Sequence, residues 1–99
     1  MVNLFRKNEL IRPVGGYKYV FYPDEFQQPG GKTKELLHLH VIGQTGEIRV
    51  YLLKKLQTEA KRGSISQPQQ TKIKKFIQEN YNFIMTRIEK ELSRVKIVL

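Results

Sequence analysis

Apolar and polar residues alternate through Leu37, His38, Leu39, His40 and Val41, and again through Ile48, Arg49, Val50, Tyr51 and Leu52. Side chains on a strand point alternately to its two faces, so each stretch has one apolar and one polar face. Gly43-Gln44-Thr45-Gly46 supplies a turn between them, and the two strands read as a hairpin. Pairing Ile42 with Glu47 sets Val41 opposite Ile48, Leu39 opposite Val50 and Leu37 opposite Leu52. The same register sets His40 opposite Arg49 and His38 opposite Tyr51 on the other face. A slip of one residue would turn both apolar sets to water, so the hydrophobic residues fix the register.

The rest of the chain supplies what covers this hairpin. Tyr17 to Tyr22 is rich in aromatic and β-branched residues and reads as a first strand, closed by Pro23. Residues 1–16 are ambiguous between a short helix and an edge strand. Residues 23–35, with Gln27-Gln28-Pro29-Gly30-Gly31, read as a mobile loop. Leu52, Leu53, Leu56 and Ala60 fit a short helix, yet Lys54 to Thr58 also suits a continued strand. The strand is expected to run to about Leu56, followed by a basic connection to Gly63. Gln67-Pro68 then opens the clearest element, with Ser66 or Gln67 as its cap. At 100° per residue, Ile73, Ile77, Tyr81, Ile84, Ile88, Leu92 and Val95 form one apolar stripe. A helix over 67–95 would be about 43 Å long, whereas a seven-residue strand spans about 23 Å. The helix must overhang, bend or break, and Asn80 to Asn82 is the expected break point. Lys96-Ile97-Val98-Leu99 is an apolar end that suits a small extra strand or a cover for the core. The pattern predicts an α+β domain: a three- or four-stranded antiparallel sheet with a long C-terminal helix on one face.

Ninety-nine residues suit a single domain. The chain has no cysteine, which excludes disulfides, thiolate metal sites and cysteine nucleophiles and fits a reducing cytoplasm. Charges interrupt the N-terminal apolar residues, so no secretory signal is read there, and no apolar run is long enough to cross a bilayer. The net charge of +9 is uneven. Residues 54–99 hold eleven Lys and Arg against four Asp and Glu, while residues 1–53 hold seven against five. Lys54, Lys55, Lys61, Arg62, Lys72 and Lys75 form a basic strip suited to a polyanion. The plain alternative is a lysine-rich, solvated surface.

His38 and His40 are the candidate chemistry. Two residues apart on a strand, they share a face with Arg49 and Tyr51. Such a set offers a base, an acid and a cationic anchor for a phosphodiester. No third metal ligand is evident beside them, so neither a metal nor a cofactor is expected. The bland alternative is a pair of hydrogen-bonded or solvated histidines on the open side of a sheet. Tyr17, Tyr19, Phe21 and Tyr22 with Lys18 suit either a base-stacking platform or core packing. Phe76 and Phe83 lie on a flank of the apolar stripe, where they would dock a partner or a second copy, or simply widen the core.

Tyr19-Val20-Phe21-Tyr22-Pro23-Asp24, Leu37-His38-Leu39-His40-Val41, Gly63-Ser64-Ile65 and Phe76-Ile77-Gln78-Glu79-Asn80 together resemble the motifs of the small bacterial domain-of-unknown-function family four-one-six-zero. Leu36-Leu37 stands where that family has two prolines, and the Gln27–Lys34 loop reads as an insertion. The resemblance implies a bacterial cytoplasmic protein, often encoded beside a small partner in toxin–antitoxin-type modules. Two functions stay open. One is a toxin-like protein that binds or acts on nucleic acid, RNA favoured. The other is a non-catalytic module that binds a protein through the Phe76/Phe83 flank or a sheet edge.

Overall fold

The structure, a computed structural model, describes residues 2–5, 14–23, 37–53 and 55–94. Strands β1 (Val2–Asn3), β2 (Lys18–Phe21), β3 (His38–Ile42), β4 (Gly46–Tyr51) and β5 (Gln57–Gly63) lie side by side in chain order, each antiparallel to the next. Helices α1 (Gln67–Glu79) and α2 (Tyr81–Arg94) follow. The class is α+β, as the pattern predicts. The sheet has five strands rather than three or four, and two helices stand where one long helix was expected.

The hairpin register is the one the apolar residues dictate. Leu39 pairs with Val50, Val41 with Ile48, His40 with Arg49 and His38 with Tyr51. Leu37, Leu39, Val41, Ile48, Val50 and Leu52 join Tyr19 and Phe21 in one core with Ile73, Ile77, Ile84, Ile88 and Leu92 of the helices. The ambiguous N-terminal segment contributes to the same core. The Leu4 amide donates to the Tyr19 carbonyl at 2.8 Å, and Leu4 and Phe5 are buried.

Ser66 caps α1, its hydroxyl accepting from the Gln69 amide at 3.4 Å, with Pro68 in the first turn. The helical path is interrupted at Asn80, where φ is −115° and ψ is 21°. The Asn80 side-chain amide donates to the Phe76 carbonyl at 2.9 Å, the same oxygen that accepts from the Asn80 backbone N–H at 3.1 Å, and so ties Asn80 to the last turn of α1. Ile84 N then donates to Asn80 O at 3.0 Å, and α2 resumes with its stripe still turned to the core.

The missed strand is β5. Its side chains are almost all exposed, so it carries no hydrophobic alternation to read. β4 stops at Tyr51 instead of continuing to Leu56. Lys55 and Leu56 take φ values of 54° and 56°, a left-handed pair that reverses the chain at the cost of strain. Leu56 is held there by burial in the core. At the far end, Gly63 has φ +56° and crosses close to Gly46, with Ser64 N donating to Thr45 O at 3.1 Å. Residues 24–35 of the loop expected over 23–35, Lys54, Val95 and the apolar end 96–99 lie outside the described residues.

Candidate functional site

The helices cover one face of the sheet, and the candidate chemistry lies on the other. Alternation along β3 turns His38 and His40 away from the core. The pairing of Val20 with His40 turns Val20, and by alternation Tyr22, to the same face. The Tyr22 ring stands edge-on to His40 with centroids 4.7 Å apart, and the two imidazoles are 5.1 Å apart. Tyr51 lies 5.4 Å from His38. The four residues expected to form a site therefore share one face. They do not form an open surface: His38 is 1% exposed and His40 3%. The imidazoles face away from the helices as predicted, yet they are buried.

Two carboxylates complete the cluster. Glu47 Oε2 lies 2.9 Å from His40 Nδ1. Glu47 sits opposite Ile42 in the register, which places it diagonal to His40, within reach across the ladder. Glu59 of β5 takes both of the other expected members. Arg49 Nη1 donates to Glu59 Oε1 at 3.1 Å, and the Tyr51 hydroxyl donates to Glu59 Oε2 at 3.3 Å. Arg49 is thus balanced by a carboxylate. Its buried Nε has no hydrogen-bond partner among the described residues.

Lys61 reaches this face by alternation from Glu59, next to a bulge. Glu47 pairs with Arg62 and Ile48 with Ala60, so Lys61 is the extra residue on β5. The bulge moves Arg62 instead of Lys61 opposite Glu47 and leaves Lys61 beside it on the same face. Lys61 here lines a cleft of about 280 Å³ with Tyr22, His40 and Glu47. The cleft combines an ammonium, an imidazole held by a carboxylate, and an aromatic ring. An imidazole–carboxylate pair is the arrangement used in acid–base chemistry. The small exposed fraction of His40 confines any such role to a ligand that enters the cleft.

The basic strip is divided in space. Lys61 belongs to the cleft, whereas Lys72 and Lys75 line a separate groove with Phe76 and Glu79. Lys55 is exposed at the β4–β5 turn and Arg62 on β5, where the Arg62 guanidinium donates to the Gly43 carbonyl at 3.4 Å. Phe76 and Phe83 meet at Phe5, with ring centroids 5.0 and 5.4 Å away. They extend the core and keep part of their surface exposed. Tyr19 and Phe21 are fully buried, so they offer no stacking platform, and Tyr22 is the aromatic that reaches the cleft.

Among the described residues, no group of three or more His, Asp or Glu side chains is arranged to hold a metal ion, and no helix is long and apolar enough to cross a membrane. Comparison with protein-family models, curated proteins and solved structures finds no match to this chain. The functional reading therefore rests on the chain's own residues.

Proposed function

We propose that this chain is a small nucleic-acid-binding protein, RNA favoured, acting as the toxin-like member of a two-component module. The ligand strand lies in the cleft of Tyr22, His40, Glu47 and Lys61. The observation that supports this reading is the cleft itself, where Lys61 and Tyr22 stand beside the His40–Glu47 pair. Lys61 meets a phosphate, the Tyr22 ring meets a base, and the His40–Glu47 pair meets a sugar hydroxyl, the group that distinguishes RNA from DNA. The overall charge of +9 favours approach by a polyanion. Arg49 and Tyr51, tied to Glu59, support the floor of the cleft instead of contacting the ligand.

Binding of a short single-stranded oligouridylate, followed by fluorescence anisotropy across a salt series, tests the reading. Affinity should fall steeply with salt, and Lys61→Ala should reduce the slope of log K against log salt by about 0.7. His40→Ala should weaken binding and remove any cleavage. Affinity indifferent to both substitutions would overturn the assignment. A protein partner is the second reading, favoured by one observation: β5 is an exposed strand at the edge of the sheet.

A further inference from the structure

A second groove, about 430 Å³ in volume, runs along a flank of α2 at the border of the core. Among the described residues it is lined by Asn82, Phe83, Thr86, Arg87, Lys90, Glu91 and Arg94. Glu91 is unusual there. It is 7% exposed, on the border of the apolar stripe formed by Ile84, Ile88 and Leu92. A carboxylate withdrawn from water needs hydrogen-bond donors. Arg94 Nη1 is 3.5 Å away, a long contact from a side chain that is itself 64% exposed. Arg87 lies one turn before Glu91. Its guanidinium sits 4.8 Å from the Phe83 ring centroid and donates to the Leu4 carbonyl at 3.0 Å, so it is fixed as a flat cationic shelf.

We propose that this groove is a nucleotide subsite selective for guanine. The base stacks on the Arg87 guanidinium, in the way unpaired bases stack on arginine planes. Glu91 accepts from the base edge. Guanine alone among the common bases presents two adjacent donors, N1–H and the exocyclic amine, to one carboxylate. Adenine and cytosine present a single amine beside an acceptor nitrogen, and uracil presents one N–H between two carbonyls. Lys90 and Arg94, one turn apart on the same side, take the phosphate. Asn82 and Thr86 supply neutral polar contacts to the sugar. The subsite is carried by α2 and does not depend on the His40 cleft, which lies on the far face of the sheet.

Isothermal titration with GMP, AMP and guanosine, paired with amide chemical-shift mapping of the full chain, tests the proposal. GMP should bind at least tenfold more tightly than AMP, and guanosine more weakly than GMP, with shifts centred on residues 82–94. Glu91→Gln, a near-isosteric change, should remove the preference for GMP over AMP. Lys90→Gln, an exposed change, should weaken GMP towards the affinity of guanosine and leave guanosine binding unchanged. His40→Ala should leave all three titrations unchanged, so that a failure of the cleft reading stays separate from a failure here. Equal binding of GMP and AMP, an unchanged preference in Glu91→Gln, shifts centred on Tyr22 and His40, or no binding at millimolar GMP would each overturn it.

Discussion

His40 Nδ1 and Glu47 Oε2 are 2.9 Å apart across the β3–β4 ladder, diagonal to the directly opposed His40 and Arg49. The pair fixes the orientation of a ring that is 3% exposed. Removing the carboxylate leaves a buried polar nitrogen without this partner. Glu47→Ala should therefore destabilise the fold by about 1–3 kcal/mol. Glu47→Gln, which can still hydrogen-bond, should cost less. Urea denaturation of the two variants checks the order. A Glu47→Ala protein as stable as wild type would show that the imidazole does not depend on Glu47.

Tyr19 offers a test by pH. Burial, reinforced by Tyr17 nearby, raises its hydroxyl well above the ordinary tyrosine value of 10.0, and the hydroxyl has no hydrogen-bond partner among the described residues. Below pH 10 the group is protonated in both folded and unfolded chains, and its contribution is constant. Above that, the unfolded chain releases the proton while the folded chain keeps it. Stability should then fall by about 1.4 kcal/mol per pH unit from this group. Tyr19→Phe should remove that portion of the alkaline loss and leave the protein at least as stable at pH 7. Thermal melts of both proteins from pH 7 to 11 measure the difference.

Gly63 closes the end of β5 with φ +56°, and a Cβ there would collide with the Thr45 carbonyl oxygen. Gly63→Ala combines backbone strain with a steric clash. It should cost at least about 2 kcal/mol and release the Lys61 bulge. Loss of amide-exchange protection over 57–63, greater than elsewhere in the chain, is the expected signature.

The hairpin was legible because six apolar residues on two strands share one parity, and only one register buries them together. That register also placed His38, His40, Arg49 and Tyr51 on a common face. The mismatch between a helix over 67–95 and the sheet was legible, with Asn80 to Asn82 as its weak point. Length alone left overhang, bend and break open, and the break into two helices came from the structure. β5 left no trace, since an edge strand exposed on both faces has no apolar period. Glu59 and the bulge at Lys61 were hidden with it. Glu47 was within reach, because its diagonal relation to His40 follows from the register already drawn. Burial of the imidazoles was not readable from alternation, which assigns a face but not what covers it.

Amide chemical-shift mapping with oligouridylate, a ligand without guanine, tests the central claim most directly. Shifts centred on Tyr22, His40, Glu47 and Lys61, lost in His40→Ala and diminished in the exposed variant Lys61→Ala, are the predicted result. Shifts confined to α1 and α2, or an unchanged pattern in both variants, would contradict the assignment of the cleft as the nucleic-acid site.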